Sequence, residues 1–144
     1  MDRLNDAGLF VLRLTVAVVL FPHGAQKVLG WFGGYGASAT IGAFPTHLHL
    51  PAWIAVFVMC AEFLGTIFLV LGFLTRLSAL AIAADMAGAV AVVHGANGWF
   101  MNWSGQQKGE GVEFFVALIG SALALVLTGA GRWSLDWRLF RGRF

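Results

Sequence analysis

The sequence predicts an all-α, polytopic membrane protein, a four-helix bundle with both termini on the cytoplasmic side, and three observations carry that reading. Of 144 residues, 59% belong to the hydrophobic set and only 11% are charged, whereas a typical soluble domain carries about 25% charge. The apolar residues form four continuous runs, without the alternation of apolar and polar positions that a membrane β-barrel needs. The mean hydropathy of +0.81 also excludes a disordered chain, which requires low hydrophobicity. A lone cysteine, Cys60, excludes a disulfide-stapled scaffold and a self-contained dithiol oxidoreductase.

The first span is expected over residues 7–29. It carries Arg13 inside the apolar run and lacks a small-residue cleavage site after it, so it reads as a retained helix and not a signal peptide. Pro22 removes the backbone bond to Val18 and predicts a kink, with His23 to Lys27 continuing the helix. A connection rich in glycine and aromatics leads to a second span over residues 51–74. The third, over residues 77–94, is separated from it only by Thr75 and Arg76, which predicts a tight antiparallel hairpin. The fourth covers residues 112–129. Spans of about 20 residues cross a hydrocarbon core, so the third and fourth are at the short end and extend by a turn or stand with little tilt. No repeat or linker divides the chain, and residues 1–144 read as a single transmembrane domain.

Four spans put both termini on one side, together with Arg3, Arg76, Arg132, Arg138, Arg141 and Arg143, while the opposite loops hold Lys27 and Lys108. The positive-inside rule then places both termini in the cytoplasm. The net charge of +2 is a topology signal, and nucleic acid is not an expected partner. Trp31, Trp53, Trp99 and Trp103 fall at the outer edge and Trp133 and Trp137 at the inner edge, as interfacial anchors do.

Ionisable groups at bilayer depth each call for a partner, and Arg13, Glu62, Asp85 and Glu113 are such groups. At ~1.5 Å per residue, Arg13 lies about 9 Å, Asp85 about 12 Å and Glu62 about 18 Å from the cytoplasmic ends of their spans. A buried pair of Arg13 with Glu62 or Asp85 is therefore expected. Two acids facing one arginine leave a surplus negative charge, so one acid is protonated or a bound cation or donor completes the site. On a helical wheel Arg13, His23 and Lys27 share an arc of roughly 80°. Glu62, Gly65, Leu69, Gly72 and Arg76 share another face, as do Glu113, Ala117, Gly120 and Ala124, and the small residues beside each acid allow close helix approach. His94 falls opposite Asp85.

A second polar layer is expected at the outer end from His23, Lys27, Glu110, Glu113 and His94, among aromatics. Such a pocket suits the head of a quinone or another small amphipathic molecule; the plainer alternative is an interfacial structural pair of Lys27 with Glu113. His23, His94 and Glu113 lack the spacing of a metal site on one helix, so no metal is expected. His47 and His49 read as surface loop residues. No cofactor is expected to be bound covalently.

Arg13, the run Phe21-Pro22-His23-Gly24-Ala25-Gln26-Lys27, then Gly30-Trp31-Phe32-Gly33-Gly34, Glu62-Phe63-Leu64-Gly65, Gly72-Phe73-Leu74-Thr75-Arg76 and Gly129-Ala130-Gly131-Arg132-Trp133-Ser134-Leu135-Asp136 together resemble the bacterial DoxX family. The resemblance spans nearly the whole chain and implies a four-helix bundle in the bacterial inner membrane. It implies a quinone-linked or redox-accessory role, with Arg13, His23, Lys27, Glu62, Arg76 and Asp136 on the family pattern. No residue is an evident redox centre, so a partner subunit or bound cofactor would supply electrons. The alternatives are a non-catalytic assembly or anchoring subunit of a larger membrane complex, or a small proton-coupled transporter using Glu62 or Asp85, which would need a homo-oligomer to form a pathway. Independent turnover stays open.

Overall fold

In hydrocarbon a backbone must satisfy its own polar groups, and continuous apolar runs do this as helices. The computed structural model describes residues 3–140, which contain helices and loops and no strand. Helix α1 covers Arg3–Leu29, a turn longer at its start than expected. It runs through Pro22 without ending. A short helix α2, Gly36–Ala43, continues into a π-helical turn, Phe44–Leu48. A loop was expected in this stretch; its alanine-rich sequence forms helix instead, and the Thr40 hydroxyl donates to the carbonyls of Gly36 and Lys27.

Helix α3 is Ala52–Leu71, with a π turn at Cys60–Leu64. Helix α4 is Thr75–Asn97, with a π turn at Val90–His94 and a final 3-10 turn. Helix α5 is Glu113–Thr128 and α6 is Leu135–Phe140. Among the described residues, α1, α3 and α4 are long and apolar enough to cross a membrane, while α5 has 16 residues. Val16 and Leu20 of α1, Leu69 of α3, Ile82 of α4, and Leu118 and Leu125 of α5 meet in one buried core. The hairpin between α3 and α4 turns on Gly72 and Leu74, both left-handed, so Thr75 and Arg76 belong to the first turn of α4.

That hairpin is held by buried charge. The last carbonyls of a helix lack internal partners and form the negative end of its dipole. The fully buried Arg13 reaches this end of α3, donating to Leu69 O at 2.9 Å, and also to Trp133 O at 2.6 Å. The first amides of α4 pose the opposite problem, and Asp136 solves it by accepting from Leu74 N at 2.7 Å and Thr75 N at 2.9 Å. Its own N–H donates to Gly72 O at 2.8 Å. A Cβ at Gly72 would overlap the Arg13 guanidinium and Ser134.

The expected pairing of Arg13 with Glu62 or Asp85 is therefore not formed. Arg13 stands level with Leu69, and Glu62 lies seven residues earlier in α3, about 10 Å away along the axis. The acid acting on Arg13 is Asp136. Arg76 also makes no ion pair among the described residues; exposed beyond the hairpin, it donates to Leu127 O at 3.3 Å. The wheel placed it with Glu62 by carrying one helix through Gly72, where the chain reverses. Arg141 and Arg143 lie outside the described residues.

Asp136→Ala strips two amides and the Arg13 guanidinium of their acceptor or counter-charge. It is expected to lower stability by about 3 kcal/mol, since each unsatisfied buried group costs about 1–3 kcal/mol. The thermal midpoint of the purified protein in detergent measures this, with the exposed Lys108→Ala as the unchanged control.

Candidate functional site

The second polar layer depends on one close crossing. A Cβ at Gly24 would lie 2.6 Å from the backbone of Glu62 and Phe63, so the backbones of α1 and α3 meet there. Three residues on, Lys27 shares that face of α1. Its Nζ meets Glu62 Oε2 at 2.5 Å, with the Lys27 side chain 28% exposed and that of Glu62 7%. The α1–α3 ion pair thus joins Glu62 to Lys27 instead of Arg13.

Asp85, buried on α4, faces the same pair within side-chain hydrogen-bonding reach of Glu62, and its Oδ2 has no hydrogen-bond partner. Lys27, Glu62 and Asp85 form the polar wall of a cavity of about 830 Å3. Side chains including Leu20, Ile54, Phe57 and Phe114 make most of the rest apolar, and Phe44 and Leu48 from the segment after α2 and Met101 and Trp103 from the loop before α5 also line it.

All three π turns border this cavity: Phe44 and Leu48 come from the first, Glu62 from the second, and Val92, Val93 and His94 from the third. A π turn holds an extra residue and re-aims the side chains beyond it. His94 shows the effect. A regular helix sets it about 180° from Asp85, yet both line the cavity. Its ring lies 4.2 Å from that of Phe115, centroid to centroid, and its Nδ1 is 3.0 Å from Glu110 O. His23 lines the cavity from α1.

Glu113 does not join this lining. Its Oε1 accepts from Met101 N at 2.9 Å and Trp103 Nε1 at 3.1 Å, so it holds the loop before α5 in place. Glu110 lines the cavity instead. An acid in the first turn of a helix is suited to free amides nearby, and that position was the available sign. Gly24 is the site residue that sequence reasoning left unassigned, because its role is an absence of volume against a distant backbone. No group of three or more His, Cys, Asp or Glu side chains among the described residues is arranged to hold a metal ion.

Gly24→Ala forces two backbones apart, since no flexible side chain can yield. It is expected to cost about 1–3 kcal/mol, the usual range for overpacking, read as a lower thermal midpoint. Gly120→Ala, where an added Cβ meets nothing within 4 Å, is expected to leave the midpoint unchanged or slightly raised.

Residues 8–95, more than half of the chain, match the DoxX family. The chain is 25% identical over 143 residues to "Putative oxidoreductase CatD" of Bacillus subtilis (strain 168), covering 99% of this chain and 95% of that protein. It is 29% identical over 133 residues to "Inner membrane protein YphA" of Escherichia coli (strain K12), with 90% and 89% covered. It is 26% identical over 141 residues to "Inner membrane protein YqjF" of the same organism, with 94% and 95% covered. No solved structure matches it. The family match takes in α1, α2, α3 and most of α4, the helices that supply Lys27, Glu62 and Asp85, and the chain belongs to the DoxX family of membrane proteins.

Proposed function

We propose that this protein binds a quinone, or a similar lipid-soluble compound with polar oxygens, as a subunit or accessory of a membrane redox system. The observation that carries this reading is a cavity of about 830 Å3 with mostly apolar walls and one polar cluster, Lys27 with the buried Glu62 and Asp85. Binding pockets for small molecules are of this kind, mostly apolar with a few convergent polar groups. A quinone fits the donor set. Its ring and tail suit the apolar walls, and its carbonyl oxygens suit Lys27 Nζ or His23. The unpartnered Asp85 Oδ2 is a buried polar atom still able to engage such a ligand. When bound, the quinone would supply the electron chemistry that the side chains lack, while Lys27, Glu62 and Asp85 hold its oxygens and move protons. The name of CatD favours an oxidoreductase connection.

The two buried carboxyls that line one cavity, Asp85 and Glu62, favour a second reading, a small proton-coupled transporter in which that carboxyl pair carries the proton. In either case the protein is a single domain in the bacterial inner membrane, as the names of YphA and YqjF suggest. Its helix α5 crosses with the other three as a four-helix bundle, and both termini face the cytoplasm. The arginines at the hairpin and terminal end support that orientation.

Quinone retained by, or titrated into, the purified protein tests the ligand. Lys27→Ala and Glu62→Gln are each expected to weaken binding about tenfold or more, the scale of a lost charge-assisted hydrogen bond; unchanged affinity in both removes the cavity as the site. For the orientation, a carboxy-terminal fluorescent protein is expected to fluoresce in cells and a carboxy-terminal alkaline phosphatase to be inactive. The reverse pattern overturns it.

A further inference from the structure

A second concavity lies at the other end of the helices, where the chain carries Trp133 and Trp137. It holds about 510 Å3 and is lined by Arg3, Asp6, Arg132, Trp133 and Trp137. The cleft is built from both ends of the described chain. Gly131, with φ of 73°, brings the segment after α5 against the first turns of α1, where an added Cβ would lie 3.3 Å from Leu9. The buried Asp6 accepts from Arg132 N at 2.9 Å. That bond joins the two segments through the Arg132 backbone and leaves its guanidinium for other work.

The Arg132 guanidinium carbon lies 5.4 Å from the centre of the Trp137 ring, a cation–π arrangement that orients the fork. No ion pair joins Arg3 or Arg132 to an acid among the described residues. The cleft thus presents two guanidinium groups and one buried carboxylate, an excess of one positive charge. Trp133 and Trp137 remain 55% and 42% exposed beside them. Guanidinium forks match the oxygens of a phosphate, and tryptophans beside arginines mark the headgroup level of a bilayer.

We infer that this cleft binds the phosphate of an anionic phospholipid headgroup. Arg3 and Arg132 take the phosphate oxygens, and Trp133 and Trp137 rest against the glycerol and upper acyl chains. The lipid is favoured over free phosphate as the source because the cleft lies at the end of helices long enough to cross a membrane. Two exposed aromatic faces serve an acyl glycerol and would be idle beside an inorganic ion. The inference is independent of what fills the larger cavity, which lies beyond the Arg13 layer.

Thermal unfolding of the full chain in a neutral detergent tests it, because a ligand of the native state raises the midpoint with concentration. Short-chain phosphatidylglycerol is expected to raise the midpoint, with an effect that weakens as salt is added. Short-chain phosphatidylcholine and inorganic phosphate should each need at least about tenfold higher concentration, having lost a net charge or the apolar contacts. The double variant Arg3→Gln/Arg132→Gln is expected to weaken apparent phosphatidylglycerol affinity about tenfold or more, and Lys108→Gln to leave it unchanged. Equal stabilisation by the two lipids, or full affinity in the double variant, overturns the inference. Inorganic phosphate acting as strongly as phosphatidylglycerol would show a free-anion site and overturn the lipid assignment. Should the double variant not fold, the three-ligand comparison on the unaltered protein decides alone.

Discussion

A guanidinium buried in a protein interior must find acceptors, and the fold follows from where Arg13 finds them. It takes them from backbone, at the carbonyl end of α3 and at Trp133, where the helix terminus already needed a cation. Asp136 completes the arrangement at the amide end of α4. Each charge thus settles a helix end buried away from solvent, and the two belong to opposite ends of the sequence. The α3–α4 hairpin, the first helix and the segment after α5 are locked together by this exchange. Gly72 is required because a side chain there would displace the guanidinium itself.

With Arg13 engaged at that end, the acids deeper in the bundle need another cation. Lys27 provides it because Gly24 lets α1 touch α3 at Glu62. The polar groups consequently fall into two layers with different work. The Arg13–Asp136 layer closes helix ends against backbone, and its two unpartnered atoms, Arg13 Nε and Thr75 Oγ1, are sealed in the packed interior. The layer of Lys27, Glu62 and Asp85 borders open volume, and one of its carboxylate oxygens lacks a partner. This difference is the physical ground for seeking ligand chemistry at the second layer and structural support at the first. The π turns around the cavity strengthen the contrast, since each gives up regular helix geometry to aim side chains at the same space.

Much of this was legible in the residues. The continuous apolar runs located the long helices to within about a turn, and His23 and Lys27, which share a face on the helical wheel, both line one cavity. Glu62 and Asp85 were recognisable as inward groups because charge inside an apolar run has few other places to go. Their partners were not recognisable. Axial distance counted from the span ends treated Arg13, Asp85 and Glu62 as nearly level, but that count depends on where each helix starts and how it crosses its neighbours. Glu113 carried the same signal as Glu62, yet the Met101 amide and the Trp103 indole N–H claim it.

Hydrophobicity and helix periodicity are properties of local sequence, so the sequence alone determined an all-helical membrane protein, its apolar spans and the short set of charges that matter. Pairing depends on backbone separation and helix phase. The missing Cβ at Gly24 decides that Glu62 meets Lys27. The reversal at Gly72 and Leu74 decides that Arg76 leaves that face. The π turn at Val90–His94 changes the phase of His94, which lines the cavity with Asp85. A one-residue change of phase or a methyl-sized gap leaves no trace in composition, and only the tertiary structure could decide which charges meet.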